Sequence, residues 1–283
     1  MLRLTIIFVL SLLPVAILNA KEPEPYKLPR TEVIPIQESK TKKQYELYIK
    51  LPEEYSKNKN KKYPVIYFTD AVWHIEILSA ATAFLMEDVI LVGISWQKDI
   101  EEQLLLEEGP QASRYRDYSI SKSSKPEVQS KYQLGQANKH LNFVRKDVFE
   151  YVERHYRTAP NNRTYFGYSL GGLFGAYTLV VQPDTFNNYI LGSPSLWKGN
   201  PKLSLIASNH LPHYKDKDVN IFISYGELEQ KLSVHIETFI TLLKEHDLHV
   251  HRLVVESSDH GTAFPTTGIE SIRWLSDLEP NSK

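Results

Sequence analysis

The stretch TYFGYSLGGLFGAYTLVV, residues 164–181, decides the fold of this chain. Three strand-forming residues lead into Gly167-Tyr168-Ser169-Leu170-Gly171, a match to the pattern G-x-S-x-G, and an apolar helical segment follows. Glycines flank the serine because so tight a turn leaves no room for Cβ atoms against the neighbouring strand and helix. This order predicts that Ser169 is a nucleophile exposed at the carboxyl edge of a parallel sheet. A serine in a glycine-rich packing turn is the alternative.

Strand and helix patterns alternate on both sides of this turn. Residues 65–68 and 89–94 are unbroken apolar runs, typical of central parallel strands, and residues 73–86 between them suit a crossover helix. Residues 99–131 are polar and irregular, which predicts a long excursion outside the sheet. The other predicted elements are a strand at 44–51, an amphipathic helix at 138–156, strands at 188–191 and 219–225, a helix at 232–248 and a strand at 250–255. Such repeated units predict an α/β fold with a mostly parallel sheet and helices on both faces.

Composition excludes several classes of protein. With 283 residues, 42% of them hydrophobic, the chain can bury one large core. Its 33 Lys and Arg residues balance 34 Asp and Glu, for a net charge of -1, so the basic footprint of a nucleic-acid binder is absent from the sequence. The chain has no cysteine, which excludes thiolate nucleophiles, thiolate metal sites and disulfides.

The first residues differ in composition from the rest. Arg3 is followed by the apolar run 4–18 and by Asn19-Ala20, a pattern typical of a secretory signal peptide. We therefore expect a signal peptide at 1–20, a tail at 21–30, one domain at 31–283, and an exported protein, periplasmic or secreted, without stable membrane association after cleavage. The alternative is a retained anchor, although the run is shorter than the roughly 20 residues that a span needs.

A serine nucleophile needs a histidine base, and His260 is the best placed. It follows the last predicted strand, as the chain order Ser, acid, His requires. His249 and His251 share one face of that strand, so a metal site is one interpretation of this pair. No carboxylate pattern such as H-E-x-x-H accompanies them, and a solvated strand face is the preferred interpretation. The sequence therefore predicts neither a metal nor an organic cofactor.

The acid that orients the base should follow the strand at 219–225. Glu227 and Glu229 compete there, and Glu229, three residues beyond Gly226, is favoured because it can turn back toward the histidine. Glu227 remains the alternative. Asp218 lies before the strand, and Asp259 adjoins the histidine but would point away from its ring.

Several motifs along the sequence carry a resemblance to a known family. They are YPVIYFTD at 63–70, RYRDYS at 114–119, GYSLGGLF at 167–174, GSPSLW at 192–197, GELE at 226–229 and HG at 260–261. In these motifs the chain resembles the Putative esterase family, the esterase D-like branch of the α/β-hydrolases, which includes ferric siderophore esterases and some feruloyl esterases. The resemblance covers about residues 31–275 and implies an α/β-hydrolase fold, ester hydrolysis and an acid at Glu229.

The oxyanion hole is expected from two backbone N–H groups. Leu170 N–H lies at the start of the helix after the nucleophile. The resemblance implies a second donor from the loop after the early strand, where relatives usually have Asp-Gly and this chain has Asp70-Ala71-Val72. Either Ala71 or Val72 would then donate.

Aromatic and basic residues near these positions are candidates for the substrate pocket. Trp197, Trp73 and His74 are predicted to form its walls, with structural aromatic residues as the equal alternative. Arg114 and Arg116 either meet an acidic or phenolic substrate group or, the simpler interpretation, pair with carboxylates such as Asp117.

These residues together predict a serine esterase that cleaves a small-molecule ester in two acyl-transfer steps. A peptidase or an acyltransferase with the same triad is one alternative. A secreted binding module without catalysis on a hydrolase scaffold is the other.

Overall fold

The computed structural model describes residues 24–198, 200–213 and 219–278. The predicted signal peptide at 1–20 and residues 21–23 of the predicted tail lie outside this part of the chain. Eight strands form one sheet: β1 (Thr31–Gln37), β2 (Gln44–Lys50), β3 (Tyr63–Phe68), β4 (Ile90–Ile94), β5 (Thr158–Tyr168), β6 (Asn188–Gly192), β7 (Asn220–Gly226) and β8 (Val250–Val255).

The sheet has the order β1-β2-β4-β3-β5-β6-β7-β8. Strands β1, β2 and β4 pair antiparallel, and every pair from β4 to β8 is parallel. The carboxyl ends of the parallel strands therefore meet at one edge, with β5 central among them. The predicted α/β fold is confirmed.

Helices cover both faces of the sheet. They are α1 (Ala71–Leu85), α2 (Glu102–Glu108), α3 (Ser113–Asp117), α4 (Pro126–Tyr132), α5 (Ala137–Phe143), α6 (Phe149–His155), α7 (Leu170–Val181), α8 (Asn200–His210), α9 (Gln230–Glu245) and α10 (Ala263–Leu278). A π-helical turn over Val144–Val148 joins α5 to α6, so the helix predicted at 138–156 is continuous but widened at its centre. The predicted excursion at 99–131 contains three short helices, α2 to α4.

Strand alternation divides the core between the two faces. Neighbouring residues of β5 point in opposite directions, so Tyr165 packs with α7 residues on one side and Phe166 packs with α1 and α10 residues on the other. Both rings are almost completely buried. This two-sided burial explains why the central strands are apolar runs, and it fixes the edge at which β5 ends.

In the described part of the chain, no helix combines the length and the apolar character needed to cross a bilayer.

Candidate active site

The turn between β5 and α7 carries Ser169 in a strained backbone conformation. Its φ of 59° and ψ of -116° lie where residues with a side chain are rare. Its N–H donates to Gly192 O at 2.9 Å, and its carbonyl oxygen accepts from Leu173 N–H, in the first turn of α7, at 3.0 Å. The turn therefore holds the side chain at the carboxyl edge of the sheet. This is the position that the sequence predicted.

Glycine is required on both sides of the serine. A Cβ atom at Gly167 would lie 2.5 Å from Gly171 O, and one at Gly171 would lie 2.4 Å from Thr69 Oγ1. Real Cβ atoms do not approach so closely. The pattern G-x-S-x-G is thus explained by contacts within the turn and with the end of β3.

The structure brings Ser169, His260 and Glu229 into one hydrogen-bonded chain. The distance from Ser169 Oγ to His260 Nε2 is 3.0 Å, and that from His260 Nδ1 to Glu229 Oε1 is 2.5 Å. The three residues follow β5, β8 and β7, all parallel, so their approach is a consequence of the sheet topology. Nucleophile, base and orienting carboxylate need this arrangement.

The Glu229 carboxylate is held from three directions. Its Oε2 accepts from Gly226 N–H at 2.6 Å and from the Ser193 hydroxyl at 2.7 Å, while Oε1 meets His260. Burial acts to raise the pKa of Glu229, but these three hydrogen bonds outweigh burial and lower it. The carboxylate is therefore ionised at neutral pH and can only accept hydrogen bonds.

Of the three other candidate carboxylates, Glu227 and Asp259 do not reach the histidine, and Asp218 lies outside the described residues. Glu227 is exposed, and its Oε2 accepts from Ser257 N–H at 2.8 Å. Asp259 Oδ1 accepts from the backbone of Gly261 and from Thr262.

The segment after β6 braces this site through Ser193 and Ser195, for which the sequence predicted no role. Besides holding Glu229, Ser193 lies 3.0 Å from the Tyr168 hydroxyl, which donates to the His260 carbonyl oxygen at 2.7 Å. Ser195 N–H donates to Ser169 O at 3.0 Å, and its Oγ lies 3.2 Å from Ser169 Oγ. The available signal was one of position alone, because GSPSLW begins at the end of β6, the strand next to β5.

The loop after β3 places the start of α1 beside the turn that carries Ser169. Asp70 takes the left-handed conformation, with φ 56° and ψ 45°, and Ala71 is the first helical residue. Alanine can therefore stand where relatives usually have glycine, because the left-handed residue is Asp70 and not Ala71. The Ala71 methyl group packs into the space left by the missing side chain of Gly93. The N–H groups of Ala71 and Val72 lie in the first helical turn, where no intrahelical acceptor exists.

A buried ion pair fixes this loop. The Asp70 carboxylate, fully buried, accepts from Arg114 Nε at 3.0 Å and Nη2 at 2.9 Å, and from Trp96 Nε1 at 2.6 Å. Burial opposes the charge of Arg114, but Asp70 outweighs it and raises the pKa of the guanidinium. Asp70 consequently has no free oxygen for the helix N-terminus, and Arg116 forms a separate buried pair with Asp117.

An open cleft of about 660 Å³ lies over Ser169. Its lining residues are Arg114, Tyr115, Ser169, Leu170, Ser195, Trp197, Leu228, Glu229, Gln230, Lys231, Leu232 and His260. Of the predicted pocket walls, Trp197 lines the cleft.

The other two predicted walls do not line the cleft. Trp73 lies beyond Arg114, whose guanidinium is 5.0 Å from its ring, and packs edge-on against Trp96. His74 is buried on the inner side of α1, its Nδ1 2.8 Å from Thr69 O and its ring against Phe264. Both residues lie on α1, and the helical rotation directs their side chains away from the cleft. The sequence alone does not show which face of α1 meets the cleft.

The described residues contain no cluster of three His, Asp or Glu side chains able to hold a metal ion. His251 stacks on Phe222, with ring centroids 5.2 Å apart.

The fold and the arrangement at the strand ends define an α/β-hydrolase. Residues 39–274 match the model of the family described as Putative esterase. The chain belongs to this family, and it is a hydrolase that acts on ester bonds.

Individual relatives agree with this membership. The chain is 27% identical to the ferri-bacillibactin esterase BesA of Bacillus subtilis (strain 168) over 221 residues, which is 72% of this chain and 73% of that protein. Its structure is similar to the BES protein from Bacillus cereus, with a TM-score of 0.76 and 22% identity over 90% and 97% of the two chains. The siderophore hydrolase EstA from Aspergillus nidulans gives a TM-score of 0.75 and 18% identity over 91% and 98%. At 22% and 18% identity, these two structural similarities are evidence for the fold alone.

Proposed function

We propose that the protein is a serine esterase in which Ser169, His260 and Glu229 act as a catalytic triad. The observation that carries this proposal is the continuous chain from Ser169 Oγ through both ring nitrogens of His260 to Glu229 Oε1. This chain of hydrogen bonds ends with Ser169 at an open cleft, so the carbonyl group of a substrate can reach Ser169 Oγ.

The reaction is a two-step acyl transfer. Ser169 Oγ attacks the ester carbonyl carbon while its proton passes to His260 Nε2, and Glu229 stabilises the imidazolium that forms. The same proton then moves to the alcohol oxygen as the ester C–O bond breaks, leaving an acyl-enzyme. Water, deprotonated by His260, hydrolyses that intermediate and restores Ser169.

Two helix N-termini supply the oxyanion hole in this mechanism. Leu170 N–H begins α7, and Ala71 or Val72 N–H begins α1. Preorganised backbone donors of this kind stabilise the charge that develops on the carbonyl oxygen. The Arg114–Asp70 pair acts as a support that keeps the second donor in place. Neither a metal nor a cofactor enters any step.

We propose a siderophore-type ester as the substrate class. BesA is a ferri-bacillibactin esterase, and EstA is a siderophore hydrolase. The cleft of this chain is open and places one cation, Lys231, near two aromatic residues, Tyr115 and Trp197, while the charge of Arg114 is paired with Asp70. Such a lining suits a large, anionic, aromatic ester better than a short neutral acyl chain. The leader-like sequence at 1–20 supports export of the enzyme.

A substrate panel tests the proposal. Purified protein is assayed on a catecholate siderophore lactone, a feruloyl ester, a short aryl ester and a peptide, with Ser169→Ala as the matched control. We expect hydrolysis of the three esters, with the highest kcat/KM for the siderophore, and none of the peptide. A protein that cleaves the peptide best, or whose Ser169→Ala variant remains active, contradicts the proposal.

A further inference from the structure

Besides the base, a second side chain contacts Ser169 Oγ, and it carries a hydroxyl. Ser195 Oγ lies 3.2 Å from Ser169 Oγ, and Ser195 lines the cleft although it is only 5% exposed. Within the described ranges, Ser169 is the sole side-chain hydrogen-bond partner of this hydroxyl.

The direction of this hydrogen bond follows from the rest of the chain of contacts. Glu229 receives two other donors on Oε2 and can only accept from His260, so the imidazole proton lies on Nδ1. Nε2 of a neutral imidazole then accepts, and Ser169 must use its one proton for that bond. No proton remains on Ser169 Oγ for Ser195. Ser195 is therefore the donor.

The backbone keeps the donor in place. Ser195 N–H is bonded to Ser169 O at 3.0 Å, so the two residues are connected by main chain as well as by side chain. This bond keeps the main chain of Ser195 beside the Ser169 turn, where its hydroxyl is within reach of Ser169 Oγ.

We propose that Ser195 is a further catalytic residue, which stabilises negative charge on Ser169 Oγ during nucleophilic attack. This inference rests on the proposed function. As the Ser169 proton moves to His260, the oxygen gains charge before its bond to the carbonyl carbon is complete. A hydrogen bond to a charged acceptor is stronger than one to a neutral acceptor, so the Ser195 contact strengthens in the transition state. Departure of the oxygen when the acyl-enzyme is cleaved is helped in the same way.

The stronger hydrogen bond from Ser195 in the transition state predicts the size of the effect on the acylation rate. Hydrogen bonds to charged groups are worth enough to change a rate by about 10- to 100-fold. The effect should fall on the acylation rate constant and on kcat rather than on KM, because the bond involves the nucleophile and not the bound ester.

Three substitutions of Ser195 separate the effect of its hydroxyl group from the effect of side-chain volume. Threonine and valine have nearly the same shape, but only threonine carries a hydroxyl group. Alanine has neither the hydroxyl group nor the added volume. Ser224→Ala is the matched control, because its hydroxyl is also buried and lies 2.8 Å from Thr267 Oγ1 rather than next to a residue of the proposed triad.

The experiment is a stopped-flow burst assay of the full chain with a p-nitrophenyl ester, together with melting temperatures. We expect Ser195→Ala and Ser195→Val to acylate about 10- to 100-fold more slowly, with KM within about twofold and Ser195→Thr close to wild type. Ser224→Ala should acylate normally. If the alanine variant does not fold, the threonine and valine pair decides.

Equal rates for the threonine and valine variants overturn the inference, because volume alone would then matter. Failure of the proposed function has a different signature, since Ser169→Ala would then retain the burst.

Discussion

Glu229 Oε1 lies 2.5 Å from His260 Nδ1, and the carboxylate reaches it from a position three residues past the strand-ending Gly226. Glu227, two residues earlier, instead accepts from Ser257 N–H on the solvent side. Two glutamates of one short loop thus have different surroundings, which makes them a matched pair for mutation.

Glu229→Gln should lower kcat by about 100- to 10,000-fold, because the amide no longer stabilises the imidazolium or fixes the tautomer. Glu227→Gln should change activity by no more than several-fold and stability by about 0.5 kcal/mol. Turnover of an aryl ester and thermal unfolding of both variants check this. An inactive Glu227→Gln protein beside an active Glu229→Gln protein would show that the roles were assigned to the wrong glutamates.

Arg114→Met should destabilise the protein by about 3 kcal/mol, because it leaves the buried Asp70 carboxylate unpaired. Activity should fall as well, since Asp70 directly precedes the expected oxyanion donors. Arg154→Met is the control, as its pair with Glu150 is exposed on α6 and should contribute less than about 1 kcal/mol. Urea unfolding measures both effects. Equal losses in the two variants would contradict a supporting role for the buried pair.

Gly171→Ala should abolish most activity, because the new methyl group cannot fit 2.4 Å from Thr69 Oγ1 and the nucleophile turn must move. Displacements of about 1 Å at a reacting group cost on the order of 100-fold in rate. At Gly261, beside the base, the nearest atom to an added Cβ is Asp259 Oδ1 at 3.6 Å. Gly261→Ala should therefore retain activity in the same ester assay. A fully active Gly171→Ala enzyme would refute the packing argument.

The free energy of unfolding should fall as the pH decreases from 6.5 to 4. Burial lowers the pKa of His140 from 6.5 to about 4, so in this range the unfolded chain binds a proton that the folded chain does not. The loss reaches about 2 kcal/mol at pH 5 for this residue.

His140→Phe tests that pH dependence. Among the described side chains, His140 Nε2 has no hydrogen-bond partner, and the ring lies against Tyr45, Tyr118, Phe143 and Phe174. Phenylalanine should therefore be accepted and should reduce the slope of stability against pH below 6.5. Urea titrations at pH 7 and pH 5 measure it. An unchanged slope would mean that His140 is not the titrating group.

The central fold was predictable because each buried strand carries its own signal. Residues 65–68 and 89–94 are apolar on both faces, and the glycines around Ser169 are dictated by local contacts. Strand β1 (Thr31–Gln37) escaped detection because it is largely exposed and contains Pro35. Helices α8 and α10 were not predicted either, although α10 buries Thr267, Ser271 and Leu275 on one face at helical spacing.

The site was predictable to the extent that chain order limits the choice. Ser169, His260 and Glu229 each follow a strand whose end can be read from the sequence pattern. His74 could not be assigned to the buried side of α1 without knowing which helix face meets the sheet. The hydroxyls of Ser193 and Ser195 have no sequence signature of their own, since serine is common in turns and its role depends on what it contacts.

The central claim, that Ser169 and His260 act as one catalytic unit, is tested most directly by kcat for Ser169→Ala, His260→Ala and the double variant on one aryl ester. We expect each single change to lower kcat by several orders of magnitude and the double variant to be hardly slower than either, because residues that act together are not additive. Circular dichroism confirms that all three remain folded. Losses that multiply in the double variant would contradict the account.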